Sequence, residues 1–286
     1  MKIAFIGAGK VGSAMAILLS LKGYKISYIM SRNVDSAEKL AQRVKSTAAT
    51  DLKKVIQDTD VIFITTPDRV IKEMAKKIAE TGLKASQQYV FHVCGSQSSE
   101  SLMVLKENGW VTGSIHPLQA FADIDMAVNI LPQTYFALDG DEKAVALAER
   151  IVESIGGKSF FVPSQYRALY HAAACIASNY TVTLMHAATQ LFEKFGIKEE
   201  AAIAALMPIM KGTLANIESK GTINALTGPI VRGDSVTIEA HLAKMRQYAP
   251  KEELVYKVLG RYTQEFVQKK KFLARKIENK IDNTPK

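Results

Sequence analysis

A chain of 286 residues, 48% apolar and 23% charged, is long for a single core and ordinary in composition, which excludes wholesale disorder and makes two domains the working expectation. Two cysteines, Cys94 and Cys175, supply neither a disulfide framework nor a zinc site, so no metal centre is expected, and no apolar run is long and charge-free enough to span a bilayer. The net charge of +9 is concentrated at one end: residues 268–286 carry seven Lys and Arg against two acids, a tail expected to be the solvated end of a helix rather than a contact for nucleic acid or lipid.

From the N-terminus, KIAFIG reads as a buried strand, residues 12–22 as a helix, KISYIMS as a second strand and 34–45 as a helix. VIFITT, a helix over 68–80, QYVFHVC, a helix over 98–108, VTGSIHP, YFALDG, a helix over 141–155 and KSFFVP follow. No secretory leader precedes the first strand, so a reducing cytoplasm is the expected compartment. Strand alternating with helix implies a mainly parallel sheet covered on both faces, an α/β domain over 1–162. After Pro163 only helical periods remain, over 165–195, 198–219, 235–248 and 250–281, so residues 163–286 read as an all-α domain that serves substrate binding and dimerisation.

The gap between the first strand and first helix holds Gly7, Ala8, Gly9, Lys10, Val11 and Gly12, a G-x-G-x-x-G turn in a strand–turn–helix setting. Gly7 suits the tight turn, Gly9 lets backbone approach a pyrophosphate, and Gly12 lets helix and strand pack closely. Amide groups at the helix start then face the phosphates, where the helix dipole also favours negative charge. The expectation is a dinucleotide-binding domain of the Rossmann type. At the end of the second strand, where NAD-type folds carry a carboxylate, this chain has Ser31, Arg32 and Asn33. A hydroxyl and a guanidinium suit a ribose phosphate, so NADP is expected over NAD. Two further strand ends, with Thr66 and Pro67 in one and Cys94, Gly95 and Ser96 in the other, are expected beside the adenosine and the nicotinamide.

A reductase needs a proton source facing the hydride acceptor. His116 is one candidate, held extended at a strand end by Pro117, with a mere strand cap as the alternative. Residues 165–195 give a second: His171, Cys175, Ser178, Asn179, Val182 and His186 share a helical face and form a polar stripe on an otherwise apolar helix. Burial of that stripe would require partners or a ligand, and His171 or Asn179 lining a substrate site competes with a satisfied core or subunit interface. Arg232 is the third, a planar fork for a substrate carboxylate or a surface cation beside Asp234.

With FIGAGKVG, SRN, TPD, HVCGS, HPLQAFAD, YHAAACIASNY and LTGPIVRGD in view, the chain resembles, over nearly all of residues 1–280, Rossmann-like reductases of the 6-phosphogluconate dehydrogenase superfamily with a helical domain of unknown function. It is also similar to pyrroline-5-carboxylate reductases, prephenate dehydrogenases and ketopantoate reductases. The hydroxyisobutyrate-type relatives use Lys and, four residues on, Asn; here Asn179 matches while Cys175 stands at the Lys position, which shifts the proton donor to His116 or His171. The resemblance implies a homodimeric NADPH-dependent reductase of a small 2-oxo acid, ketopantoate first, with Asn179 orienting the carbonyl and Arg232 taking the carboxylate. Reduction of a cyclic imine is the enzymatic alternative, and an idle NADPH-binding sensor the non-enzymatic one.

Overall fold

The computed structural model describes residues 1–83 and 88–282, with side chains up to residue 268, so the basic tail's side chains lie outside the described residues. Strands β1 (Lys2–Ile6), β2 (Lys25–Met30), β3 (Thr47–Ala48), β4 (Val61–Ile64), β5 (Tyr89–His92), β6 (Val111–Pro117), β7 (Tyr135–Gly140) and β8 (Lys158–Phe161) form one sheet in the order β3-β2-β1-β4-β5-β6-β7-β8. Every pairing is parallel except β6 with β7. The helices between them are α1 (Lys10–Leu21), α2 (Val34–Arg43), α3 (Leu52–Gln57), α4 (Ile71–Glu80), α5 (Met103–Glu107), α6 (Ile124–Ile130) and α7 (Glu142–Ser154). Three of these elements, β3, α3 and α6, are absent from the sequence reading because each is too short to build a hydrophobic period.

The sheet is buried on both faces, and its strands show it by apolar runs in place of strict alternation. Phe5, Phe63 and Phe91 sit on adjacent strands in register and stack, with ring centroids 4.9 and 5.6 Å apart. They belong to one core layer, while Ile6, Ile62, Ile64 and Val90, pointing the other way, form the second. Each such side chain contributes roughly 1.5–3 kcal/mol of burial.

Next comes α8 (Arg167–Ala177), then α9 (Asn179–Glu193), α10 (Glu199–Ala225), α11 (Pro229–Arg232), α12 (Ser235–Tyr248) and α13 (Pro250–Asp282). The expected single helix over 165–195 is therefore two, broken at Ser178, whose φ of −108° and ψ of −67° depart from the helix. Apolar spacing carries on across this break, which is why periodicity alone reads straight through it. The helix expected to end at 219 runs on to Gly221, where a φ of +71° kinks it.

Contacts divide the chain into two compact units, Met1–Ser178 and Asn179–Lys286, later than the expected 162/163 division. The reason is Arg167. Its side chain is 1% exposed, and its guanidinium donates to the Cys94 carbonyl at 3.0 Å and the Ala137 carbonyl at 3.5 Å, tying α8 to the sheet. In the second unit α9 packs on α10, and α12 packs on α11 and α13. No helix among the described residues is long and apolar enough to cross a membrane.

Candidate functional site

The carboxyl ends of β1, β2, β4, β5 and β6 open into one cavity of about 730 Å³, built wholly from the first unit. Position at these ends follows from the parallel crossovers, which leave the crevice on that edge. Gly7 turns the chain out of β1 with a φ of +121°, donates its N–H to the Met30 carbonyl at 2.7 Å and accepts the Thr65 hydroxyl at 2.7 Å. A Cβ there would stand 2.5 Å from the Thr65 carbonyl carbon, so no other residue fits. Gly12 faces Thr65 as well, and a Cβ would reach to 2.7 Å from the Thr65 Cβ. Thr65 is thus the post against which the turn is built, a role that residue spacing does not show because its contacts are almost sixty residues away in the chain.

Gly9 caps α1 without a side chain, and the first turn of α1 holds no acid, which leaves its amides and dipole to an anion. Gly7, Ala8, Gly9, Lys10 and Val11 line the cavity, as do Ser31, Arg32, Thr66, Pro67, Cys94 and Gly95. Three of the residues expected at the cofactor do not. Gly12 is packed behind the turn, and Asn33 caps α2 by accepting the Ser36 N–H at 3.0 Å. Ser96 is tied back by the Cys94 thiol at 3.3 Å and the Asp68 carboxylate at 3.4 Å.

The far end of the cavity is built by β5, β6 and α8. His92 is fully buried; its Nδ1 accepts the Cys94 N–H at 3.2 Å and its Nε2 meets the Ser98 carbonyl at 3.0 Å, so one imidazole pins the loop after β5. Burial pushes His92 down to about 4. His116 and His171 face each other with ring centroids 6.2 Å apart. Between them lies Gly95, where a Cβ would stand 2.6 Å from His116 Nε2 and 2.8 Å from His171 Nδ1. Only glycine lets both rings close on that backbone. His116 is pushed down to about 3, first by burial and then by the Arg167 charge, His171 and His92. It is a neutral imidazole at physiological pH. Its Nδ1 lies 2.7 Å from the Tyr170 hydroxyl. Arg167 and Tyr170 escaped the sequence reading, since an Arg and a Tyr in a helix look alike whether buried or solvated.

The polar stripe divides. His171 lines the cavity, but Ser178, Asn179, Val182 and His186 are exposed. The expected burial penalty does not arise for them, because the break at Ser178 ends the shared face. Asn179 opens α9 and Arg232 closes α11, both in the second unit. Arg232 lies 3.9 Å from Asp234, a residue that also caps α12 by accepting the Thr237 N–H at 3.1 Å.

A dinucleotide fits the residues present. The glycine turn leaves open space at Gly9, where even a Cβ would come no nearer than 3.9 Å to the Thr65 carbonyl, no carboxylate stands at the end of β2, and two buried polar atoms aim at nothing: Thr66 Oγ1 and His171 Nδ1 have no hydrogen-bond partner among the described residues. Asp68 is the single acid in the lining. Among the described residues no group of three or more His, Cys, Asp or Glu could hold a metal ion.

Comparison with known proteins agrees with this geometry. Residues 2–90 match the family model described as NADP oxidoreductase coenzyme F420-dependent, and residues 134–263 match a domain of unknown function, DUF2520. Among curated proteins, a glycerol-3-phosphate dehydrogenase [NAD(P)+] of Limosilactobacillus reuteri is 30% identical over 90 residues, 27% of this chain and 26% of that protein, so the chain spans about a quarter of that relative. A solved protein of Thermotoga maritima is 29% identical with a TM-score of 0.76, covering 94% of this chain and 99% of that one. The fold is shared at 24% identity and a TM-score of 0.73 with a proposed NADP oxidoreductase of Bacteroides fragilis, over 92% and 98% of the chains. It is shared too with a reductive aminase of Aspergillus terreus in complex with NADPH and ethyl-5-oxohexanoate, at 16% identity, a TM-score of 0.66 and 91% and 92% coverage. The chain is therefore similar over residues 2–90 to Rossmann domains of the NADP oxidoreductase type, with NADP as the cofactor, and over residues 134–263, from β7 into the helical unit, to the DUF2520 type.

Proposed function

We propose that this protein is an NADPH-dependent reductase that delivers hydride to a polarised carbon–nitrogen double bond of a small molecule. The observation that carries the reading is the continuity of one cavity from the glycine turn and Arg32 to the paired imidazoles of His116 and His171. Its volume lies in the range of ligand sites, roughly 300–1,000 Å³. In this reading the amides of Gly9 to Val11 hold the pyrophosphate, Ser31 and Arg32 grip the ribose phosphate, Thr66 and Pro67 flank the adenosine side, and Cys94 and Gly95 back the nicotinamide. When bound, NADPH supplies the hydride. His116 or His171 then meets the developing charge on the substrate's heteroatom. A neutral donor suits a neutral imine or carbonyl better than an iminium cation, which gains nothing from a site backed by the buried Arg167. The reductive aminase of the same fold favours the imine.

A second reading is the carbonyl of a 2-oxo acid such as 2-dehydropantoate, for which the chemistry asks a carboxylate fork such as that of Arg232, whose side chain is 65% exposed and loosely paired. The protein acts as a homodimer in the cytoplasm: apolar side chains of the helical unit such as Val236, at 77% exposure, and Tyr262, at 73%, await a second copy, and two free thiols suit a reducing compartment.

The test is NADPH consumption, followed by absorbance, across a panel of cyclic imines and 2-oxo acids. Turnover of imines alone supports the first reading, and turnover of 2-oxo acids alone overturns it in favour of the second. Tight NADPH binding without any turnover would make the protein a sensor.

A further inference from the structure

An imidazole that is neutral at physiological pH is a poor acid by itself. Were His116 to surrender its ring proton with nothing returned, it would become an imidazolate. Were it first to take up a second proton, an imidazolium would form in a buried place beside Arg167. Both are costly. The groups around it offer a way past both.

Arg167 and Tyr170 are three apart on α8 and so share a face, and the guanidinium carbon lies 5.3 Å from the centre of the Tyr170 ring. The Tyr170 hydroxyl lies 2.7 Å from His116 Nδ1, and among the described residues it has no other hydrogen-bond partner. Within the protein, one direction of this bond serves both groups better. If Nδ1 carried the proton and donated it, the phenolic proton would have no acceptor in the protein; if the phenol donates, both groups are satisfied. The ring proton then sits on Nε2, which lies against Gly95, and both residues line the cavity.

We infer that Tyr170 is a positioning residue for His116: its hydroxyl donates to Nδ1, holds the proton on Nε2 facing the cavity, and refills Nδ1 as Nε2 gives its proton away. This rests on the reductase reading. As the substrate carbon gains hydride, its nitrogen or oxygen gains an electron pair and forms a bond to the Nε2 proton. The Nε2–H bond breaks, an Nδ1–H bond forms, and the Tyr170 O–H bond breaks. The imidazole is neutral before and after, in its other tautomer. The charge left behind is a phenolate beside Arg167, which recovers its proton from water reaching the half-buried Tyr170.

Arg167 thus acts on both partners. It helps keep His116 uncharged, and it opposes the burial that pushes Tyr170 up, a balance that leaves the phenol at about 12. The other charged or titratable groups facing this pair are His171 and His92, with Asp139 acting on Arg167 and on His92.

The experiment is nuclear magnetic resonance of the full chain carrying isotope-labelled histidine, without cofactor, on wild type, Tyr170→Phe and His116→Gln, the last assigning the His116 signals. Tyr170→Phe keeps the ring against Arg167 and against Phe160, whose centroid is 5.9 Å away, and removes only the hydroxyl. Wild-type His116 is expected as the Nε2-protonated neutral form, and the variant as a mixture of tautomers. With a substrate in hand, the variant loses about a hundredfold in kcat with little change in KM. A wild-type ring protonated on Nδ1, or a tautomer indifferent to Tyr170→Phe, overturns the positioning role, and a shifted tautomer with unchanged kcat overturns the relay. If wild type reduces nothing yet shows the Tyr170-dependent tautomer, the reductase reading fails while the positioning role is supported.

Discussion

The two units solve the burial of apolar surface differently. In Met1–Ser178 the apolar side chains of the central strands close on themselves: Phe5, Phe63, Phe91 and Phe136 are fully buried between the sheet and its helices. In Asn179–Lys286 the same kinds of residue stay in water along the helices, among them Val182, Ile209, Leu254 and Val258, each more than 60% exposed. A parallel sheet must be covered on both faces to form at all, whereas a helix satisfies its own backbone and can hold an apolar face open until another surface arrives. The first arrangement gives rigidity, which a cofactor cradle needs; the second leaves surface for assembly.

The sharpest break in that comparison is a core truncation. Phe63→Ala should cost about 3–5 kcal/mol of unfolding free energy by urea denaturation, while Val258→Ala should change it by no more than ~0.5 kcal/mol. Equal losses would erase the distinction.

Next in size is the cofactor end of the first unit. Arg32→Ala removes a charge-assisted grip of about 1.5–3 kcal/mol, so the preference for NADPH over NADH should fall roughly 10- to 100-fold in binding titrations. An unchanged ratio refutes the assignment of Arg32 to the ribose phosphate.

Acid sensitivity belongs to the first unit too. His92 and His116 are held neutral, lowered from 6.5 to about 4 and about 3. Below 6.5 the unfolded chain binds protons at these sites that the folded chain refuses, so their contribution is complete above that value and is lost as pH falls toward 4. The slope is up to about 1.4 kcal/mol per pH unit for each histidine. His116→Gln should flatten the decline between pH 6 and 4 by about half, measured by urea denaturation at each pH.

The smallest effect on stability and the most informative for assembly is Val236→Asp with Val258→Asp. The pair should shift sedimentation from dimer to monomer and leave NADPH affinity within about twofold, because the cavity is built from the first unit alone. A dimer that survives both charges locates the interface elsewhere.

Much of this site is legible in the chain because its signals are local. The glycine turn from Gly7 to Gly12 follows a strand and opens a helix, and Ser31 and Arg32 stand where a carboxylate would otherwise be. Turn chemistry and strand ends are set by neighbours a few residues away. The histidines were legible as candidates but not as a pair. His116 and His171 are 55 residues apart, and only the approach of α8 to the end of β6 closes them on Gly95. Asn179 was grouped with His171 by a period of 3.6, and one non-helical residue, Ser178, separates them.

Sequence alone determined the alternation of the longer strands and helices, the phosphate-binding turn and the absence of a carboxylate at the end of β2, since each depends on short-range sterics and charge. Tertiary structure decided that Arg167 is buried, that Thr65 braces the turn, that Asn33 and Ser96 serve their own loops, and that Tyr170 meets His116. Those outcomes depend on which groups meet across long stretches of chain, where desolvation and hydrogen bonding are settled by partners that residue spacing does not encode.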